Sequence, residues 1–409
     1  MEEVLYYSGL TWQKCPIASV QRGPRKRMEL FLKTGAEFTK DAILLGFSVL
    51  SVIAPAVARC GELEWVTIAE DKRSFVLEKS GDVFVPWGFN YDHDRDGRLL
   101  EDYWHQQWNA VEQDFREMKK LGANVVRIHL QVGKFMEGPN EPNAASLDRF
   151  SHLVDLAEDQ QLYLDVTGLG CYHKKDVPQW YDKLSEQERW DVQACFWEAV
   201  AKRCTGSPAV FCYDLMNEPV VPGRKKRTDW LGPAFAGKHF VQFITLQAGE
   251  RPREAVAVQW LRKLTTAIRK QDKHHLITVG LVPWSLPGTG LTSGFAPQKI
   301  AGELDFISVH LYPERGKLDE AMDTLAGFSV GKPVVIEEIF PLKCAMEELE
   351  QFIEDSQRYA CGWIGFYWGK TPTECKDSGH IADALMLKWL EFFRGESKYI
   401  EKTPGSAGG

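Results

Sequence analysis

Phe211-Cys212-Tyr213-Asp214-Leu215-Met216-Asn217-Glu218-Pro219 is a short, mostly apolar run that breaks off in Asn-Glu-Pro. A run of this length bounded by a proline reads as a buried strand, and its polar end sets the Glu218 carboxylate at the strand's C-terminal mouth. Working outward, strand-like segments lie at 84–91, 123–130, 162–167, 276–281, 304–311, 333–338 and 362–368. Amphipathic stretches of helical period alternate with them at 106–121, 146–160, 185–204, 251–271, 316–328 and 345–360, and 380–394 closes the series. Only the connection near 293–301 is too short for a convincing helix. Strand and helix in strict alternation, eight times over, predict an α/β fold of the (β/α)8 TIM-barrel type. Ahead of it, Ser74–Asp92 reads as a hairpin turning at Ser80-Gly81.

Period-two facing assigns the inward side chains. In Val125-Val126-Arg127-Ile128-His129, Arg127 and His129 share a face opposite Val126 and Ile128. In Ile307-Ser308-Val309-His310-Leu311-Tyr312, the residues Ser308, His310 and Tyr312 face together. The second strand-terminal glutamate, Glu338 in Val334-Val335-Ile336-Glu337-Glu338, is assigned by the same rule to the face of Val334 and Ile336. Polar residues at inward strand C-termini are where such a barrel holds its chemistry. Two carboxylates there are the minimal equipment for cleaving a glycosidic bond, one as acid and one as nucleophile or base. Arg127 is a candidate cation to keep one of them ionised. The stretch from Val220 to Gly249 is too long for an ordinary connection and is expected to wall a cleft beside Glu218.

The motifs together resemble glycoside hydrolase family 5, the cellulase and mannanase family, from about Phe75 to Phe393. That resemblance implies Glu218 as acid/base, Asn217 on a sugar 2-hydroxyl, and Glu338 as nucleophile with Glu337 beside it. It also implies Tyr312 of His310-Leu311-Tyr312 against the nucleophile and Trp368 as the floor under the sugar. The chain departs from the family pattern in two places. Thr167 stands where a histidine often ends strand three, with His173 further along the loop, and Ile339-Phe340 replaces the usual aromatic-Gly after the nucleophile. The expected reaction is retaining hydrolysis of a β-linked glucan- or mannan-type saccharide without a cofactor. The alternatives are a barrel that binds sugar without cleaving it and an enzyme of a related glycosidase family. A barrel for phosphorylated metabolites is disfavoured, because Phe340–Lys343 and Lys370–Ser378 offer no glycine cluster as a phosphate cradle.

Composition sets the remaining bounds. Residues 1–58 carry seven Lys/Arg and five Asp/Glu, so a net charge of −8 for 409 residues leaves −10 on the rest. An acidic body argues against nucleic acid as a partner. Arg224-Lys225-Lys226-Arg227 reads as a solvated loop. Residues 42–58, AILLGFSVLSVIAPAVA, follow Lys33 and Lys40 and end in a small-x-small site, the pattern of a secretory signal peptide. The expected layout is a leader over 1–58, a barrel over 65–398 and a flexible tail over 399–409. The expected location is secreted, extracellular or periplasmic, with no integral membrane association after cleavage. Asp92-His93-Asp94-Arg95-Asp96-Gly97 matches the first half of a calcium loop, making Asp92, Asp94 and Asp96 weak metal candidates. Trp190, Trp197, Trp260 and Trp389 are expected in the core. Trp104, Trp180, Trp230 and Trp284 fall in or near loops of the active face, where packing within the loops is expected of each taken singly and stacking on sugar is the alternative for one or two.

Overall fold

The computed structural model describes residues 62–400 apart from 289–291. The apolar 42–58 segment and the tail beyond 400 lie outside the described residues. The core is a closed parallel barrel of eight strands. They are β1 (Trp87–Tyr91), β2 (Val125–Gln131), β3 (Tyr163–Gly170), β4 (Val210–Asn217), β5 (Leu276–Leu281), β6 (Ile307–His310), β7 (Val334–Ile339) and β8 (Trp363–Gly365). The main outer helices are α1 (Trp108–Lys120), α2 (Ala144–Asp159), α3 (Glu186–Cys204), α4 (Arg253–Gln271), α5 (Leu318–Gly327), α6 (Met346–Ser356) and α7 (Ile381–Ile400). After β5 only a single turn, Pro297–Ile300, and two 3-10 turns, Pro283–Ser285 and Ala301–Glu303, stand in the helix position. The α3 helix begins with a capping box in which Ser185 and Glu188 satisfy each other's backbone amides. The last helix runs to Ile400, a little past the expected start of the tail.

The N-terminal mouth is plugged with aromatics. The short strands Val66–Ile68, Phe75–Leu77 and Val83–Phe84 form an antiparallel meander. Pro86 then interrupts the chain, so the expected single strand 84–91 is two pieces, and the Asn124 side chain accepts the Trp87 amide. The meander delivers Phe75 edge-on to Phe211 and Phe306 at centroid distances of 5.1 and 5.3 Å. Val125, Tyr163, Val335 and Ile364 complete this inner cluster. Above it the lumen turns polar, beginning with Thr278 and Ser308, whose hydroxyls are 2.7 Å apart. Outside the strands, Trp190, Trp197, Trp260 and Trp389 are all buried against helices. A dry plug at one mouth and a polar lumen at the other leave only the C-terminal face for chemistry.

Strands β4 and β7 break the two-residue period just before their glutamates. From Thr278 to Gly280 on β5, β4 advances from Asp214 to Asn217, one residue extra. From Val309 to His310 on β6, β7 advances from Ile336 to Glu338. Such bulges re-aim the side chains that follow. The predicted facing of Glu338 is therefore corrected. Val334 and Ile336 pack in the layer toward the helices and Val335 in the inner plug, so unbroken alternation would have turned Glu338 outward. The bulge brings Glu337 and Glu338 into the lumen together.

Candidate active site

Arg127 is fully buried at the centre of the C-terminal face. Its Nη1 donates to Asn90 Oδ1 and to Glu338 Oε1, both at 2.8 Å. Its Nη2 donates to Asp214 Oδ2 at 2.7 Å and to Asn217 Oδ1 at 2.9 Å, and Glu337 Oε2 lies 3.5 Å away. Burial opposes the guanidinium charge, but Glu337, Asp214 and Glu338 outweigh it and raise its pKa further. Asp214 is itself fixed by the Thr167 hydroxyl at 2.7 Å and the Gly280 amide at 2.8 Å. Thr167 thus holds the carboxylate that holds the arginine.

Glu218 follows β4 with φ of 45°, a left-handed conformation that costs a non-glycine residue roughly 1–2 kcal/mol. Its amide donates to Gly280 O at 3.1 Å, and its Oε1 receives His310 Nδ1 at 3.0 Å. The other nitrogen of His310 reaches Glu337 Oε2 at 3.3 Å. A Cβ on Gly280 would lie 2.9 Å from His310 Nε2, so only glycine leaves room for the ring. Burial works against a charge on His310, but Glu338, Glu218 and Glu337 together push its pKa up to about 10. Glu337 is driven the other way, down to about 2, since Arg127 and His310 outweigh its burial. Below it, burial and Glu337 keep Asp165 well above the usual carboxylate range.

Glu338 accepts the Tyr312 hydroxyl at 2.6 Å in addition to Arg127. Burial raises its pKa, His310 and Arg127 oppose that, and Glu218 adds to it. One oxygen each of Glu218 and Glu338 and one nitrogen of His310 lie within 4.8 Å of one another. These donor types could hold a metal ion, but a charged His310 gives both its protons to carboxylates and keeps no lone pair for one. The two glutamates are 7% and 6% exposed, so they stand at the floor of an open face.

Other expected residues are redistributed. Asn217 accepts from Arg127 and donates to Phe240 O at 3.1 Å. Trp368 is not the floor. It is 2% exposed, packs edge-on to Phe89 at 5.4 Å in the layer between barrel and helices, and bonds Asp114. Strand β8 ends at Gly365 rather than 368, and Phe366 is the ring beside the site, edge-on to Tyr312 and Phe240. The three calcium candidates do not converge. Asp92 is buried and bound to His93, Asp94 accepts Arg98 and the amides of residues 96 and 98, and exposed Asp96 faces Arg95. Trp104 and Trp230 are buried, whereas Trp180 and Trp284 are half-buried. His173 does not reach the site. Tyr172 does, its hydroxyl 2.5 Å from His129 Nδ1.

His129, Asn90, Glu337, Asp214 and Phe366 join the site without having been singled out as its members. The shared face of Arg127 and His129 was the signal for the histidine. Its Nε2 meets Asn90 Oδ1, an acceptor only, at 3.1 Å, so that nitrogen carries the proton. Burial and then Arg127 hold the ring neutral, and Nδ1 accepts from Tyr172.

A sequence model of the Cellulase family, glycosyl hydrolase family 5, matches residues 87–371. The chain belongs to this family. As a family 5 member it resembles mannan endo-1,4-beta-mannosidase A of Podospora anserina, 25% identical over 49% of this chain and 51% of that protein. The enzyme of the same name from Emericella nidulans is also 25% identical, over 49% and 51%. The chain spans about half the length of the curated relatives it matches. Among solved structures, the exo-beta-1,4-mannosidase of Opitutaceae bacterium strain TAV5 superimposes with a TM-score of 0.61 at 16% identity, over 82% of this chain and 63% of that one. The beta-1,4-mannanase of the sea hare Aplysia kurodai gives 0.56 at 16% identity, over 83% and 98%. These likenesses show the barrel fold.

Proposed function

We propose that the chain is a retaining glycoside hydrolase acting on a β-linked mannan- or glucan-type saccharide. The observation that carries this reading is the approach of one Glu218 oxygen and one Glu338 oxygen to within 4.8 Å, each carboxylate with different donors. A retaining pair stands about 5–5.5 Å apart, whereas an inverting pair leaves room for a water. Arg127 and Tyr312 stabilise a negative Glu338, the form a nucleophile needs. Glu338 attacks the anomeric carbon as Glu218 gives its proton to the departing glycosidic oxygen, and the carbon–oxygen bond breaks. Glu218, now a base, takes a proton from water, whose hydroxide attacks the same carbon and releases Glu338. His310 beside them stands with Nδ1 3.0 Å from Glu218 Oε1, a contact that orients the acid. Phe366, edge-on to Tyr312, is the candidate surface under the sugar.

Mannan is favoured over glucan by the names of the relatives. Export by way of residues 42–58 belongs to the same proposal, supported by the sequence pattern, and among the described residues no helix is long and apolar enough to cross a membrane. Assay of the purified protein on 4-nitrophenyl β-mannoside, 4-nitrophenyl β-glucoside, mannan and β-glucans tests the reading. Hydrolysis abolished in Glu338→Gln supports it, and inactivity on all four overturns it.

A further inference from the structure

The excursion after Glu218 comes back to the site it leaves. Pro219–Val220 pairs in parallel with Gln242–Phe243, and Gln242 N donates to Glu218 O at 3.4 Å. Just before it, His239 N donates to Tyr172 O at 2.8 Å. Phe240 stands between these two ties, and its own carbonyl accepts Asn217 Nδ2 at 3.1 Å. Phe240 is half-buried, with Tyr172 behind its ring at a centroid distance of 5.1 Å. It meets half-buried Phe366 at 6.1 Å, with the ring planes 87° apart. An apolar ring from beyond β4 therefore reaches the residue after β8, the strand opposite in the barrel.

The donors on Glu338 orient a sugar over this corner. Arg127 Nη1 and His310 Nδ1 both approach Oε1, at 2.8 and 3.5 Å, whereas Oε2 has the neutral Tyr312 hydroxyl. In the transition state positive charge gathers on the anomeric carbon and the ring oxygen. The two cations repel the ring oxygen, which takes the Oε2 side. The other ring neighbour of the anomeric carbon, C2, then falls on the Oε1 side. From there Arg127 leads through Asn217, at 2.9 Å, to Phe240.

Resting on the glycosidase reading above, we propose that Phe240 reads the configuration at C2 and selects β-mannosides over β-glucosides. A pyranose laid on Phe366 turns its C2 edge to the Phe240 ring. An equatorial substituent points out of that edge into the ring, whereas an axial one stands clear. The mannoside places hydrogen there, which packs on an aromatic surface. The glucoside places a hydroxyl there, which loses water and gains no partner from a phenyl ring.

The test compares kcat/KM for 4-nitrophenyl β-mannoside, the β-glucoside and their common 2-deoxy parent, which carries hydrogen at both positions of C2. The unaltered enzyme should prefer mannoside to glucoside by about 10- to 100-fold, the reach of an apolar site against one added hydroxyl. Phe240→Ala should shrink that ratio about tenfold, with the mannoside and the 2-deoxy parent changing alike. Phe240→Gln, which fills the gap and can bond an equatorial hydroxyl, should shrink it as well. A preference for the glucoside, or a ratio unmoved in both variants, overturns the proposal while the glycosidase reading stands. Inactivity of the unaltered enzyme on every substrate takes down both.

Discussion

The Tyr312 hydroxyl lies 2.6 Å from Glu338 Oε2, on the carboxylate oxygen that Arg127 does not occupy. The two donors take one oxygen each, so the carboxylate is gripped at both ends and held in one orientation. Tyrosine follows His310 by two residues, just past the end of β6, and the edge of Phe366 stands against its ring at 6.4 Å. Glu338 is thereby aimed, and both donors favour its ionised form against the burial that raises its pKa.

Tyr312→Phe should remove one of those two bonds and leave the ring packing intact. Hydrogen bonds to charged groups contribute roughly 1.5–3 kcal/mol, which is about a 10- to 100-fold loss in kcat/KM. Burial already raises the Glu338 pKa, and loss of the donor raises it further, so the acidic limb of the rate profile should move to higher pH. Initial rates from pH 4 to 9 on an aryl glycoside check both effects. An unmoved acidic limb would mean that Tyr312 does not act on Glu338.

Glu337 and Glu338 are adjacent and both inward, and their substitutions should separate. Glu338→Gln should cost several orders of magnitude in turnover with the melting temperature little changed. Glu337→Gln leaves Arg127 and His310 short of a buried counter-charge, so its main effect should be a loss of stability of about 3–5 kcal/mol. Chemical denaturation alongside kinetics distinguishes them, and a stable Glu337→Gln with no activity would reverse the assignment.

His310 supplies a pH dependence whose sign is fixed. Its pKa is raised from 6.5 to about 10 in the folded protein, so its stabilisation is complete below about 6.5 and lost as pH rises through about 10. The effect is on the order of a few kcal/mol. Unfolding by urea at pH 6, 8 and 10 should show stability falling over that range, and His310→Gln should flatten the slope. An unchanged slope in the variant would remove His310 as its source.

Most of the barrel was legible because helix and strand periods alternate without long interruptions. The pairing of Arg127 with His129 could be read because β2 keeps strict alternation through Val126 and Ile128. On β7 that logic failed, since a bulge adds one residue that no composition announces, as another does on β4. Glu338 was named through its motif, while its facing was wrong by one. Trp368 was named through the resemblance alone, and facing could not have corrected it. The chain leaves the sheet after Gly365, and beyond that point period two no longer says which of Phe366, Tyr367 and Trp368 turns inward.

The stereochemical outcome follows from the gap between the two glutamates. With one oxygen of each within 4.8 Å and His310 beside them, the proposed pair has the close spacing of a double displacement rather than the wider gap that admits a water. On that proposal Glu338 forms the covalent glycosyl-enzyme, and a second displacement from the opposite face restores the β configuration. Glu218→Ala keeps the nucleophile and loses both proton transfers. It should still be glycosylated by substrates with good leaving groups, then stall, because no base activates the water. Azide needs no such base and should speed the second step, giving a β-glycosyl azide. Proton NMR of the first product from the unaltered enzyme is the direct measurement, with the β anomer expected before mutarotation. The α anomer appearing first would mean a water between the carboxylates, and the assignment of Glu338 as nucleophile would fall.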